Sequence, residues 1–276
     1  MKIAAIQHTA HADVAANLAV LEALIAETVQ QQARLLVLPE NFAAYGVNYR
    51  QFAEQSAVSV LQWCAALAQQ HNIFLLAGSV PLLAPGNKVY ASSVLFDPAG
   101  KEVARYHKLH LFDVDISDAQ GRYRESEQFA GGSETAVAAI ENLRLGLMIC
   151  YDLRFPLLAQ WLRDQGAELL VYPSAFTAKT GAAHWEVLLR ARAIENGCWV
   201  LGANQCGSHS AKRQSYGHSM LINPWGEVVA QLDDKPGVLL AELDAKAVRR
   251  VREQLPVDRH QRLMLQLPDE MSHVEY

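Results

Sequence analysis

The sequence predicts a single α/β domain in which helices cover a layer of β-sheet. Strand-like and helix-like stretches alternate from the first residues onward, and the turn signal Asp97-Pro98-Ala99-Gly100 adds an antiparallel hairpin to the helical connections. Length alone permits one large α/β domain or two small ones. No composition shift, Pro/Gly/Ser linker or internal repeat divides the 276 residues, so we expect one domain over 1–276.

The first half of the chain contains two predicted helices among five predicted strands. An apolar pattern predicts a helix at 14–32, for which Asp13 is a suitable N-cap. A second helix, at 59–70, has its apolar residues on one face. The predicted strands are 3–7, 35–38, 73–78, 89–96 and 102–106.

Segment 107–133 is polar and has no period, which in a compact domain is typical of a functional loop. Regular patterns resume beyond it. We predict helices at 157–165 and 183–195, and strands at 136–140, 143–149, 169–172, 199–203, 219–222, 228–232 and 238–243.

Composition excludes several functional classes. Hydrophobic residues make up 51% of the chain, and the net charge of −5 provides no basic stripe for nucleic acid. No apolar run approaches the length of a membrane span, and Gln7 and His8 interrupt the apolar N-terminus before a signal-peptide core forms. The four cysteines have no pairing spacing, so we expect a reducing, cytoplasmic location.

The strongest chemical signal is the position of Cys150. The apolar run 145–149 ends on this cysteine, and a helix-like segment begins a few residues later. This pattern is typical of a nucleophile elbow, which holds a thiol on a sharp turn where a substrate reaches it. A buried structural role is the commoner fate of an intracellular cysteine, but its position at a strand end favours the nucleophile.

Two further apolar runs deliver polar side chains in the same way: 34–39 ends before Glu40, and 103–107 before Lys108. Because α/β folds bind ligands at the carboxyl ends of their strands, we expect both groups to lie beside Cys150. A free thiol has a pKa of about 8.5 and needs a nearby base or cation to react. The alternatives are a solvated acid and a surface lysine, but Pro39 stiffens the chain before the acid.

Three short motifs resemble those of the nitrilase, or carbon–nitrogen hydrolase, superfamily. They are Leu-Pro-Glu at 38–40, His-Lys-Leu-His at 107–110 and Ile-Cys-Tyr-Asp at 149–152. The resemblance continues through 172–226, where the chain is similar to the branch that hydrolyses deaminated glutathione, a sister of the ω-amidases. It implies a four-layer α-β-β-α sandwich and a homodimer or larger assembly, with the tail from about residue 255 at the interface.

The resemblance also implies roles for individual residues. Cys150 is the expected nucleophile and Glu40 its general base; Lys108 and the backbone N–H of Tyr151 are expected to stabilise the oxyanion. Glu125 is the expected auxiliary glutamate, although Glu127 is close enough in sequence to compete for that role.

Other residues matching the family pattern concern the substrate. Tyr151, Phe176 and Thr180 are expected to contact it, whereas we expect Arg154 to form a buried salt bridge rather than bind a substrate carboxylate. His107 and His110 have no third ligand at a known spacing, so we expect no metal, and no cofactor is implied.

The expected activity is hydrolysis of a small carboxylated amide, with deaminated glutathione the favoured substrate. The alternatives are α-ketoglutaramate, as in the ω-amidases, N-carbamoyl compounds and nitriles. Loop 41–46 resembles a mixture of the two amidase branches. A non-enzymatic alternative is a silent binding module of the same fold, which would be expected to lack a member of the triad; none is missing here.

Overall fold

A computed structural model describes residues 1–264 and 266–276. Its helices are α1 (Val14–Gln30), α2 (Tyr49–Gln55), α3 (Ala57–His71), α4 (Pro156–Asp164), α5 (Ala178–Asn196), α6 (Lys246–Gln254) and α7 (Val257–His260). Short 3-10 turns span Glu125–Glu127 and Cys150–Arg154. None of the helices in the described residues is long and apolar enough to cross a membrane.

The strands form two large sheets and two small hairpins. They are β1 (Lys2–Gln7), β2 (Leu35–Val37), β3 (Phe74–Leu83), β4 (Val89–Phe96), β5 (Glu102–His107), β6 (Asp113–Asp115), β7 (Arg122–Arg124), β8 (Glu134–Ile140), β9 (Leu143–Leu147), β10 (Leu169–Ser174), β11 (Trp199–Asn204), β12 (Cys206–Ser208), β13 (Gln214–Tyr216), β14 (Met220–Ile222), β15 (Val228–Gln231), β16 (Gly237–Glu242) and β17 (Ser272–Glu275).

The first sheet has the order β16-β1-β2-β3-β4-β5, and the second has the order β15-β14-β11-β10-β9-β8-β17. Strands β1, β2 and β3 run parallel in the first sheet, as do β9, β10 and β11 in the second. The antiparallel steps from β3 to β4 and from β4 to β5 return β5 to the direction of β3. Consequently β2 and β5 deliver their carboxyl ends to the same edge of the first sheet.

The four layers follow from the two-residue period of the strands. In β1, Ile3 and Ala5 pack in the core that includes the second sheet, whereas Ala4 and Ile6 pack on the other face with residues of α1. Helix α5 covers the second sheet, since its Trp185 and Leu189 pack against Gly202 of β11. The α-β-β-α sandwich is therefore confirmed.

Helices α2 and α6 are not predicted by the sequence patterns. In α2 two side chains, Phe52 and Ala53, are buried, and in α6 Val248 alone is buried. An amphipathic period needs more apolar positions than these segments offer. Segment 107–133 likewise contains the short β6–β7 hairpin, which has three residue pairs.

Helix α5 begins five residues before its predicted start at 183. The first turn contains Gly181, an unfavourable helix residue that obscures the pattern. Its presence has a packing reason, because a Cβ at this position would lie 2.3 Å from the Cβ of Tyr216.

The end of the tail forms β17, which pairs parallel with β8 of the same chain. Leu263 and Met264, in the tail before β17, are 77% and 90% exposed. That the tail lies at an oligomer interface stays a prediction.

Candidate active site

Glu40, Lys108 and Cys150 line one cavity of about 420 Å³. Glu40 follows β2, Lys108 follows β5, and Cys150 follows β9, so both sheets contribute to the site. The three residues are 4%, 1% and 9% exposed, which rules out the alternatives of a solvated acid and a surface lysine. The structure thus brings together the three residues on which the sequence argument rests.

Cys150 lies in a strained backbone conformation at the start of the 3-10 turn. Its φ angle is +46°, in the left-handed region that residues other than glycine seldom adopt. Asp152 holds this turn: its carboxylate accepts hydrogen bonds from the Ile149 N–H (2.8 Å) and the Tyr106 hydroxyl (2.7 Å). The sharp turn after β9 has the backbone geometry expected of an elbow, and the role of Cys150 as nucleophile stays a prediction.

Asp152 was not predicted to have a role. Its other oxygen lies 2.7 Å from Nδ1 of His110, and its side chain is fully buried. The Ile-Cys-Tyr-Asp motif contains this acid, but nothing in the sequence identifies the partners that it contacts. Asp152 therefore holds the Cys150 turn with one carboxylate oxygen and contacts His110 with the other.

Glu40 is held by groups from both sheets. Oε1 accepts a hydrogen bond from Lys108 Nζ at 2.9 Å, and Oε2 accepts one from the backbone N–H of Ala175 at 2.8 Å. The chain before Glu40 lies against β3, where a Cβ on Gly78 would be 1.9 Å from the Leu38 carbonyl oxygen. A side chain larger than hydrogen at 78 would displace the backbone that presents the carboxylate.

Lys108 Nζ also lies 2.9 Å from both carboxylate oxygens of Glu125. Burial by itself lowers the pKa of Lys108, but the carboxylates of Glu125 and Glu40 outweigh it and hold the pKa well above its usual value. Glu127 is instead about two-thirds exposed and pairs with Arg122 at 3.1 Å. Of the two glutamates, Glu125 is the one beside the triad.

Burial and the nearby Glu40 carboxylate raise the pKa of the Cys150 thiol, and Lys108 only partly opposes them. Burial also raises the pKa of Glu125. A thiolate at this position would place a further negative charge beside the carboxylate groups of the cluster, which is why its surroundings favour the neutral thiol.

Tyr151, Phe176 and Thr180 all lie in the cavity wall. Tyr151 packs edge-on against Phe112 with ring centroids 5.0 Å apart. The Phe176 ring contacts Trp185, and the Thr180 hydroxyl lies 2.6 Å from that of Thr177. These positions are consistent with the expected substrate contacts, which remain predictions.

The expectation of a buried salt bridge for Arg154 is wrong. Among the described residues no carboxylate lies within ion-pair distance; its guanidinium instead lies over the Phe176 ring (5.0 Å) and 3.2 Å from His184 Nδ1. Arg154 is a partly buried cation that faces the cavity. The acid nearest to it in sequence, Asp152, contacts Ile149, Tyr106 and His110 instead.

Tyr45, Tyr123 and Arg213 also line the cavity. Tyr45 lies in loop 41–46, whose sequence already bears on the choice between the two amidase branches, whereas no motif points to Tyr123 or Arg213. His107 and His110 hydrogen-bond to Ser92 and Asp152 respectively. In the part of the chain that the structure describes, no group of three His, Cys, Asp or Glu side chains is arranged to hold a metal ion.

A buried thiol beside a carboxylate and an ammonium is an arrangement suited to nucleophilic attack on a carbonyl or nitrile carbon, because the carboxylate can act as a base and the ammonium can stabilise negative charge. A model of the carbon–nitrogen hydrolase family matches residues 2–253. The chain therefore belongs to the carbon–nitrogen hydrolase family, and with it to the hydrolases that cleave carbon–nitrogen bonds.

Individual relatives agree with this assignment. The deaminated glutathione amidase of Synechocystis is 40% identical over 262 residues, which are 93% of this chain and 96% of that protein. Omega-amidase NIT2-A of Xenopus laevis is 38% identical over 241 residues, 87% of each chain. The crystal structure of Saccharomyces cerevisiae Nit3, a member of branch 10 of the nitrilase superfamily, matches with a TM-score of 0.86 and 30% identity, over 95% of this chain and 97% of that one.

Proposed function

We propose that this chain is a cysteine-dependent amidohydrolase that cleaves the amide bond of deaminated glutathione through a thioester on Cys150. The observation that carries the proposal is the buried thiol in one cavity with the Glu40–Lys108 ion pair. A silent binding module would not need this arrangement, because burying two acids and an ammonium carries a desolvation cost that binding by this fold does not require.

In the first step, Cys150 Sγ attacks the amide carbonyl carbon while the thiol proton passes to Glu40. The raised pKa of the thiol supports this order, because it places the proton on sulfur until the base removes it. The new S–C bond gives a tetrahedral intermediate with its negative charge on the former carbonyl oxygen.

Lys108 and the backbone N–H of Tyr151 stabilise that oxyanion. When Glu40 accepts the proton it becomes neutral, and one of the two acids paired with Lys108 is lost. The Lys108 charge is then available to the oxyanion, while Glu125 stays paired with it at 2.9 Å. The net charge of the cluster is the same before and after this step.

Collapse of the intermediate breaks the C–N bond, and Glu40 returns the proton to the departing nitrogen. The acyl group remains on Cys150 as a thioester. Glu40 then takes a proton from water, whose oxygen attacks the thioester carbonyl. Breaking the C–S bond releases the carboxylic acid, and the thiol regains its proton.

The substrate assignment is supported by the relatives of that name and by the charge of the cavity. Deaminated glutathione is a 2-oxoglutaryl amide of cysteinylglycine and has a carboxylate at each end. Two guanidinium groups of the cavity wall, Arg154 and Arg213, have no carboxylate partner in the described residues. Arg154 lies on the turn that begins with Cys150 and over Phe176, and we assign it to the carboxylate of the acyl half.

A second candidate is ω-amidase activity on α-ketoglutaramate, which has the same acyl half and releases ammonia. The relative from Xenopus laevis favours it, and loop 41–46, whose Asn41, Tyr45 and Gly46 line the cavity, has a mixed pattern. A site that also contacts the dipeptide gains transition-state binding from it. We expect kcat/KM for deaminated glutathione to be at least ~10-fold higher, about 1.4 kcal/mol in barrier.

The test combines substrate kinetics with the Cys150→Ala variant. Wild type is assayed on deaminated glutathione, α-ketoglutaramate, an N-carbamoyl amino acid and a small nitrile. Intact-protein mass spectrometry should detect an acyl adduct that is absent from Cys150→Ala, and that variant should be folded but inactive. Cys198→Ala is the matched control, since Cys198 is a buried thiol outside the cavity wall. An active Cys150→Ala enzyme would falsify the mechanism, and a preference for α-ketoglutaramate would favour the second candidate.

We also propose a single domain over 1–276 that assembles as a homodimer or larger, with the tail from about residue 255 at the interface. The exposed Leu263 and Met264 support this. The four free cysteines support a reducing compartment such as the cytoplasm. Light scattering should give a smaller mass for a Leu263→Ser, Met264→Ser double variant than for wild type; an unchanged mass would remove these residues from the interface.

A further inference from the structure

Arg213 is a cation in the cavity wall whose guanidinium is oriented by two hydrogen bonds but has one nitrogen without a hydrogen-bond partner in the described residues. Its Nε donates to the Tyr45 hydroxyl at 2.5 Å, and its Nη2 donates to the Ala175 carbonyl at 2.9 Å. Its Nη1 is buried and has no hydrogen-bond partner in the structure. Two bonds therefore set the plane of the guanidinium and leave one edge free for another acceptor.

The surroundings of Arg213 do not neutralise it. The guanidinium carbon lies 4.7 Å from the centre of the Tyr123 ring and 5.6 Å from that of Tyr45. The nearby acid Asp118 accepts a hydrogen bond from the Tyr123 hydroxyl at 2.7 Å rather than from Arg213. His209, stacked on Tyr45, is also uncharged near neutral pH, because burial lowers its pKa to about 4. Arginine does not give up its proton, so a buried Nη1 without a partner favours an anionic ligand here.

The backbone of Ala175 links Arg213 to the general base. The Ala175 N–H donates to Glu40 Oε2 at 2.8 Å, and the carbonyl of the same residue accepts from Arg213. In the proposed reaction Glu40 gives its proton to the departing nitrogen. That step would bring the leaving group to the part of the wall to which Arg213 is anchored, whereas Arg154 lies on the turn that begins with Cys150.

We propose that Arg213 is a specificity-determining residue that binds the terminal carboxylate of the leaving amine, between the rings of Tyr45 and Tyr123. This inference rests on the proposed amidase function and extends it to the leaving-group side. A carboxylate at this position would accept a hydrogen bond from Nη1 and complete the bonding of the guanidinium. The same site offers nothing to ammonia, so it favours amides of a short acidic peptide over simple primary amides.

The test compares three substrates in wild type and Arg213→Gln. They are deaminated glutathione, its C-terminal glycinamide, which lacks the terminal charge, and α-ketoglutaramate, which lacks the dipeptide. For Arg213→Gln, kcat/KM for deaminated glutathione should fall at least ~10-fold further than that for α-ketoglutaramate. In wild type, kcat/KM for the glycinamide should be at least ~10-fold lower than that for deaminated glutathione. In Arg213→Gln, kcat/KM for these two substrates should agree within ~3-fold.

Arg154→Gln is the matched control, since it should lower kcat/KM for deaminated glutathione and α-ketoglutaramate to a similar extent. Equal losses on these two substrates in Arg213→Gln would show that Arg213 only positions the wall, and would overturn the proposal. If that variant does not fold, as judged by circular dichroism, the comparison of acid and glycinamide in wild type decides, and equal kcat/KM values overturn it. Wild type that cleaves none of the three substrates would instead refute the proposed function itself.

Discussion

Two groups of cations in the cavity wall differ in how their charge is paired. In the catalytic group, Lys108 is paired with both Glu40 and Glu125 at 2.9 Å. In the second group, Arg154 and Arg213 have aromatic rings beside them and no carboxylate within ion-pair distance in the described residues. The fold itself pairs the charge of Lys108, whereas it leaves the two guanidinium groups for a ligand.

His8 shows what happens to a buried titratable group that has neither kind of partner. Both of its ring nitrogens are buried and have no hydrogen-bond partner among residues 1–264 and 266–276, and burial together with the nearby His209 lowers its pKa to about 3. The imidazole responds by staying neutral. Arginine has no such option, which is why the unpaired guanidinium groups point to an anionic substrate and the unpaired imidazole does not.

The largest expected effect concerns the catalytic group. Lys108→Arg keeps the positive charge but replaces a compact ammonium with a planar guanidinium, which cannot contact both acids and the oxyanion with the same geometry. We expect kcat to fall by about 10²–10³, the loss typical of one oxyanion donor. Steady-state kinetics on deaminated glutathione measures it. Lys101→Arg, at an exposed lysine, is the control. Near-normal kcat in Lys108→Arg would mean that the ammonium is not specifically required.

The second prediction concerns the stability of the protein in acid. The unfolded chain protonates His8 below about pH 6.5, whereas the folded protein does so only near pH 3. The unfolded state therefore binds more protons in this window, and stability falls as the pH decreases through it. Between pH 6.5 and 4.5, His8 should cost about 2–3 kcal/mol of the free energy of unfolding.

Urea denaturation of wild type and His8→Gln at both pH values measures this difference, with the exposed His260→Gln as the control. The His8 variant should lose about 2–3 kcal/mol less than wild type on acidification. An NMR titration of wild type provides a second measurement that does not depend on the variant folding. A His8 resonance that titrates near pH 6.5 would contradict the idea of a neutral, unpartnered ring.

The catalytic residues could be predicted from sequence because each of them follows an apolar run. Glu40, Lys108 and Cys150 are single polar side chains at strand ends, and parallel strands bring such ends to one edge. The acidic partner Glu125 lies in a 3-10 turn within the aperiodic segment 107–133, where the local sequence pattern does not predict where a side chain lies in the fold. Its assignment depended on the family resemblance.

The surroundings of the two unpaired guanidinium groups could not be predicted, because their contacts join segments that are distant in sequence and have no period. Arg213 lies beside Tyr45 and Tyr123, which precede it by 168 and 90 residues. A lone arginine in a polar loop looks like a surface charge, and the missing partner of Arg154 cannot be read from a sequence at all. Partly buried cations without an ion-pair partner become visible only when the neighbouring side chains are in place.

The smallest expected effect, and the sharpest test of pairing, separates two neighbouring glutamates. Glu125 places both oxygens 2.9 Å from Lys108 Nζ and also accepts a hydrogen bond from the Phe112 N–H at 2.6 Å. Glu125→Gln keeps the shape but removes one of the two negative charges that hold the pKa of Lys108 high. We expect kcat/KM to fall by about 10–100-fold, the value of one charge-assisted hydrogen bond at ~1.4–2.8 kcal/mol.

Glu127→Gln supplies the matched comparison, two residues away and with the same chemical change. Glu127 is about two-thirds exposed and pairs with Arg122, and exposed ion pairs contribute little. The kcat/KM of Glu127→Gln should therefore stay within about 2-fold of that of wild type. Both variants are measured on deaminated glutathione under identical conditions. A larger loss in Glu127→Gln would assign the auxiliary role to Glu127. Equal, small effects would mean that one acid on Lys108 is sufficient, and that pairing in the catalytic group is less important than its geometry implies.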